Sequence, residues 1–203
     1  MAWIEPGDRS LSQSEMDNNA WECYYFFHDS IGWDVTALSA MCGNMQFESF
    51  INPGKINAQS GAYGLTQWIT NKTKMQNWCT NNGYSYSSGV GQTHYIDYER
   101  THPGASQTDQ WYGRGDFVGV TFNDFAFNTR NYDINTLTYC FWRCYERSAA
   151  YQSIRETYAA HYYQLFQGTP PSPGPSPGSI IQEWLLGQMF KKKRWWYQGG
   201  RRY

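Results

Sequence analysis

One carboxylate stands out by its surroundings. Glu48 lies near the end of a largely apolar segment, Gly43-Asn44-Met45-Gln46-Phe47-Glu48-Ser49, just ahead of Asn52-Pro53-Gly54. On a helix turning about 100° per residue, Val35, Leu38, Met41, Cys42 and Met45 form one stripe, with Glu48 at its edge beside Met41. A carboxylate at such an edge is partly desolvated, which favours its protonated form. A protonated carboxyl group is what general acid catalysis needs. Taken alone, the stretch also fits a glutamate whose head reaches solvent at the rim of a packed helix.

Other chemistry is weaker. His94, Asp97 and His102 match no metal-ligand template, and a loop intervenes. Cys140 and Cys144 are four apart with no second ligand pair, so they read as neighbouring packed thiols. Cys42 and Cys79 have no histidine at an interpretable spacing and read as buried. No phosphate-binding glycine loop and no serine or cysteine nucleophile motif is present, and neither a cofactor nor a metal is expected.

The elements that must position Glu48 can be traced through the chain. Ser12 with Glu15 forms a capping box that opens a helix, closed by Gly32. Asp34 caps a second helix running towards Phe50, with Pro53-Gly54 as its stop. Residues 55–70 lack helical periodicity. Ser60-Gly61-Ala62-Tyr63-Gly64-Leu65-Thr66-Gln67-Trp68 alternates small and bulky residues and predicts a short, irregular β-region. Helices follow over 72–81 and near 91–100. Thr121 with Asp124 opens a short helix, Asp133 caps another, and Ser148 begins a last long helix through Leu165. The fold class is α+β, mainly α.

The chain has 203 residues and a net charge of −1, so overall charge indicates no nucleic-acid partner. Aromatic residues make up 19%, enough to fill a core and to line a cleft for sugar rings. Five cysteines and no secretion signal argue against a disulfide framework. The first residues are not a signal peptide, and no stretch is long enough to span a bilayer. Residues 1–168 are read as one domain. Thr169 to Ser179, with five prolines in eleven residues, is a linker of polyproline type. Residues 180–203 combine an apolar patch (Ile180, Trp184, Leu185, Phe190) with Lys191 to Arg194 and Trp195-Trp196. They are too few to fold alone and read as an anchor on a partner protein, with membrane or wall-polymer contact as the alternatives.

The pairing of Glu48-Ser49 with Gly61-Ala62-Tyr63-Gly64-Leu65-Thr66-Gln67 resembles the goose-type lysozyme and lytic transglycosylase branch of the lysozyme-like superfamily. In that branch a Glu-Ser pair precedes a Gly-Leu-Met-Gln-type segment; Thr66 here stands where the methionine is usual. Trp33, Gly43 to Gln46, Asn52-Pro53, Trp68, Trp78, Thr121 to Phe125, Tyr145-Glu146-Arg147, Arg155 and Ala159 extend the likeness to the phage tail lysins, over about residues 14–166.

The resemblance implies a lysozyme-like fold and cleavage of the β-1,4 bond between N-acetylmuramic acid and N-acetylglucosamine in bacterial peptidoglycan. It makes Glu48 the general acid and places Ser49, Tyr63, Gln67, Trp68 and Tyr145 along the sugar cleft. It also implies a protein made in the host cytoplasm, carried on the virion and bound to phage tail proteins through 180–203. The second catalytic group stays open, because no Asp or Glu occurs between Glu48 and Asp97. Asp97, Asp109 or Asp116 as a base, Glu146, or assistance from the substrate itself all remain. So do three rival functions: a lysis-stage endolysin, a lytic transglycosylase, and a non-catalytic tail protein.

Overall fold

A computed structural model describes residues 2–104, 110–148 and 150–169. Those residues belong to one compact unit, Ala2–Pro170. The expected linker beyond Thr169 and the segment 180–203 lie outside the described residues, as does Asp109.

Helix α1, Gln13–Cys23, starts at the expected capping box: Ser12 accepts from the Glu15 amide while Glu15 reaches back to the Ser12 amide. The helix widens into a π-helical stretch, Tyr24–Ile31, and stops at Gly32 in the left-handed conformation. Trp33 follows, fully buried against Phe27 with a ring separation of 4.4 Å.

Helix α2, Val35–Ser49, is capped by Asp34, whose carboxylate accepts from the amides of Thr36 and Ala37 at 2.8 and 3.1 Å. The structure departs from the one-stripe reading here. Every residue from Ala37 to Gln46 is buried, so α2 is the central helix and not a rim helix. A helix buried all round is what an apolar sequence with small residues on its remaining faces permits. Helix α2 emerges only at its ends, at Val35 and Thr36 and again at Phe47 and Glu48. It ends at Ser49, earlier than Pro53-Gly54, because Phe50 and Ile51 both adopt left-handed conformations.

Helices α6 (Ile134–Phe141) and α7 (Ile154–Phe166) pack most extensively on α2. Gly43 allows this. A Cβ there would lie 2.6 Å from the Ala159 amide nitrogen and 2.7 Å from the Arg155 carbonyl, both backbone atoms of α7. The last helix begins at Ile154 and not at Ser148, because the preceding element runs on as a π-turn, Trp142–Glu146. That turn is closed by Arg147 in the left-handed conformation.

Helices α3 (Lys72–Asn81) and α4 (Gly89–Thr101) form the other side of the molecule, and α5 (Phe122–Ala126) is opened by the Thr121–Asp124 capping box. Between α2 and α3, the expected β-region reduces to two isolated bridges, Ile56 with Tyr63 and Tyr63 with Trp68, and no strand forms among the described residues. Side chains supply the order that a ladder would have given. Buried Gln92 of α4 accepts from the Leu65 amide at 2.8 Å and donates to the carbonyls of Pro53 and Tyr86, each at 2.8 Å. Gly64, at φ +79°, lets the loop lie directly on the Gln92 side chain.

Residues 2–10 strap the loop from below. Asn19 bonds Ile4 and the Ile51 carbonyl, and Asn52 donates to the carbonyls of Gly7 and Arg9. All five cysteines are buried with free thiols. No helix among the described residues is long and apolar enough to cross a membrane.

The Gly43 contact gives a stability prediction. Gly43→Ala forces backbone apart where nothing flexible can yield, at about 1–3 kcal/mol. Scanning calorimetry is expected to show a fall of several degrees in Tm. An unchanged Tm would mean that α2 and α7 separate freely.

Candidate active site

The site grows from the end of α2. Asn44 and Glu48 are four residues apart and therefore share one helical face, which looks across at α7. There the Arg155 side chain, 1% exposed, extends between two carboxylates. Its Nη2 donates to Glu48 Oε1 at 2.5 Å, and its Nη1 donates to Glu146 Oε2 at 2.6 Å and to Asn44 Oδ1 at 2.9 Å. Asn44 is itself oriented by donating through Nδ2 to the carbonyls of Ala40 and Thr138. The guanidinium lies 4.0 Å from the centre of the Phe47 ring, a cation–π contact that covers its outer side.

The two carboxylates differ in exposure. The Glu48 side chain is 17% exposed and that of Glu146 only 2%. Burial, reinforced by the negative Glu48 beside it, pushes Glu146 well above the usual carboxylate range, although Arg155 pulls the other way. The π-turn after α6 delivers Glu146 to this point: the Arg147 amide donates to the Trp142 carbonyl at 2.7 Å, closing one residue wider than an α-turn.

Both carboxylates open on a cleft of about 720 Å³ between the 57–70 loop and the 110–148 segment. That volume lies within the ordinary range for a ligand-binding cleft. Its walls include Phe47, Thr66, Gln67, Ile69, Arg114 and Arg147. Gln67 sits at φ +51°, and its side-chain amide donates to the carbonyls of Gly64 and Lys55 at 3.0 and 3.2 Å.

The structure distributes the other expected residues differently. Ser49 is fully buried, its hydroxyl donating to the carbonyls of Met45 and Leu65 at 3.0 and 2.8 Å, so it ties the loop to α2 and shows no face to the cleft. Trp68 borders the cleft but is 1% exposed, forming floor more than wall. Tyr145 is buried in the aromatic core, stacked on Phe141 at 4.7 Å. Tyr63 points away from the cleft, into a separate hollow of about 590 Å³ shared with Glu5, Lys72 and Tyr86. Asp97 lies on α4 in a third hollow with Trp78 and Tyr98, paired to Arg100 at 2.7 Å. Asp116 sits on an exposed turn away from the cleft walls.

Thus the structure joins Glu48, Glu146, Gln67 and Trp68 around one cleft and leaves Asp97 and Tyr63 outside it. The roles of Arg155, Asn44 and Phe47 were missed in the sequence. Arg155 carried a signal only as one of the residues, with Ala159, that extend the likeness to the phage tail lysins.

The sequence profile of the phage tail lysozyme family matches residues 18–166, which takes in both Glu48 and Arg155. The chain belongs to the phage tail lysozyme family. It is also 33% identical over 165 residues to Morphogenesis protein 1 of Bacillus phage B103, covering 78% of this chain and 42% of that protein. The chain therefore spans about two fifths of that relative's length.

Behind the cleft floor of this tail-lysozyme fold, a second buried carboxylate was not foreseen. Glu99 of α4 accepts from the Tyr145 hydroxyl at 2.5 Å, one residue before Glu146. Burial outweighs this bond and pushes Glu99 up to about 7. A carboxyl raised on folding binds more protons in the native state, so its contribution is complete below the unfolded value and declines as pH rises through the folded one. Stability is therefore expected to fall between about pH 4.5 and 7, with Glu99 accounting for at most about 3 kcal/mol. Urea denaturation across that range tests this. Glu99→Gln is expected to flatten the decline, and an equally steep profile in the variant would remove Glu99 as its source.

Proposed function

We propose that the protein is a muramidase that cleaves the β-1,4 bond between N-acetylmuramic acid and N-acetylglucosamine in peptidoglycan, carried on a phage tail to open the host wall during genome delivery. The observation that carries this reading is Glu48, partly shielded and ion-paired to Arg155 at the wall of a cleft of ligand-binding size. Membership of the tail lysozyme family supports the same chemistry.

Glycosidic cleavage needs a proton on the leaving oxygen as the C–O bond breaks. Glu48 supplies it: its O–H bond breaks as the new O–H bond forms on the departing sugar. The resulting carboxylate is received by Arg155 Nη2, already within hydrogen-bond distance. Either water or a hydroxyl of the substrate then adds to the anomeric carbon, giving hydrolysis or a 1,6-anhydro product. Gln67, on the wall beside Glu48, is a sugar-binding candidate, with Trp68 supporting the floor.

The particle context has its own support. The B103 relative is named a morphogenesis protein. Attachment to tail proteins through 180–203 completes the proposal, against an endolysin released late in infection or a tail component without activity.

Zymography on purified peptidoglycan separates these readings. Wild-type protein is expected to clear the substrate, and Glu48→Gln to lose about 100-fold or more in rate, the range for removing a general acid. Equal clearing by both removes Glu48 as the acid, whereas no clearing by either favours a structural tail role. Mass spectrometry of the released sugars distinguishes a reducing end from an anhydro end. Finding the protein in purified virions supports the tail assignment over an endolysin.

A further inference from the structure

A general acid held by an arginine poses a physical problem. An adjacent guanidinium stabilises the ionised carboxylate and so works against the proton that catalysis requires. The arrangement around Arg155 contains an answer, one that rests on Glu48 being the acid.

One guanidinium serves two carboxylates, Glu48 through Nη2 and Glu146 through Nη1. With both ionised, the cluster carries a net negative charge; with one proton between them, it is neutral. Arg155 is 1% exposed and Glu146 2% exposed, so little water is present to stabilise the charged alternative. Two carboxylates in one site lose their protons in two separate steps.

We propose that Glu48 and Glu146 share a single proton over Arg155, and that Glu146 is the positioning residue that keeps this proton available to Glu48 despite the guanidinium. The more deeply buried Glu146 holds the proton at rest, and its passage to Glu48 leaves Glu146 ionised on Nη1, where its charge offsets that of Arg155. When Glu48 passes that proton to the leaving oxygen, both carboxylates are briefly negative as the sugar becomes cationic, so the site gains negative charge when the transition state can use it. The proton released by the attacking water or sugar hydroxyl then restores the pair.

Among the described residues, charged and titratable groups face the pair from several sides. Glu48 comes from α2, with the neutral Asn44 amide beside it. Arg155 comes from α7, and Arg114 and Arg147 stand on the cleft wall. Tyr151, hydrogen-bonded to Glu156 at 2.9 Å, lies on the far side within the field of Arg155. Among these groups Glu146 is the one carboxyl group paired to the same guanidinium as Glu48.

The test is the pH dependence of kcat/KM on purified peptidoglycan fragments. Glu146→Gln keeps shape and hydrogen bonding but cannot be negative. Its alkaline limb is expected to move down by about one pH unit or more, a tenfold or larger loss on the alkaline side that is recovered on acidification. Glu146→Asp is expected to restore the limb in part. A limb that stays in place in Glu146→Gln, or a uniform loss at every pH, overturns the proposal. If that variant does not fold, carboxyl carbon NMR of the wild-type protein decides: one proton retained by the pair at pH 7 supports sharing, and two ionised carboxylates at pH 7 refute it. Activity in Glu48→Gln would instead sink the functional reading itself. An inactive Glu48→Gln with an unmoved limb sinks only this inference.

Discussion

Two helices cross without room for a methyl group between them, and the site exists because they do. Gly43 on α2 meets the backbone of Arg155 and Ala159 on α7 closely enough that any side chain at 43 would overlap main-chain atoms. Arginine has a long reach, but a bidentate grip on Glu48 and Glu146 requires its Cα to be held at a set depth. That depth is set by the glycine one residue before Asn44, which supplies the third partner of the guanidinium. Packing and chemistry therefore share the same turn of helix.

The cost of this arrangement falls on a cluster of three ionisable groups largely removed from water. Such clusters are seldom stabilising on balance, since desolvation offsets most of the attraction. Their persistence calls for another reason, and the cleft supplies one: an acid needs a tuned environment more than a stable one. The surrounding structure compensates by other means. Asp34, Ser12 and Thr121 cap helices. Gln92 and Asn52 replace a β-ladder with side-chain amides. Trp33, Phe125 and Tyr145 are among the large side chains that fill the core.

Helix starts were legible in the sequence because caps are local. Ser12, Asp34, Thr121 and Asp133 each act within three residues, and all four stand where the spacing put them. Helix ends were less so. The stop of α2 depends on left-handed Phe50 and Ile51, which tertiary contacts impose. The β-region was read from alternation, but Tyr63 and Gln67, four apart, line different hollows, and among the described residues the region reduces to isolated bridges. At the site, Glu48 was visible through its apolar neighbours and the motif that follows, as was its likeness to the tail lysins. Arg155 was visible only as a letter in that likeness. Its role depends on a contact 107 residues away in sequence, and no local pattern encodes such a pairing. Ser49 and Tyr145 show the converse: residues that belong to the motif because they hold the loop and the core, while neighbours meet the cleft.

The wide turn from Trp142 to Glu146 has a consequence for how such a site is gained or lost. A π-turn takes up one extra residue within a single turn, so Glu146 faces a different way from where an α-turn of the same residues would put it. Were those residues to close as ordinary α-helix, Glu146 would turn around the axis and away from Arg155. Helix, core and cleft would survive with small adjustments, yet the second carboxylate would be gone.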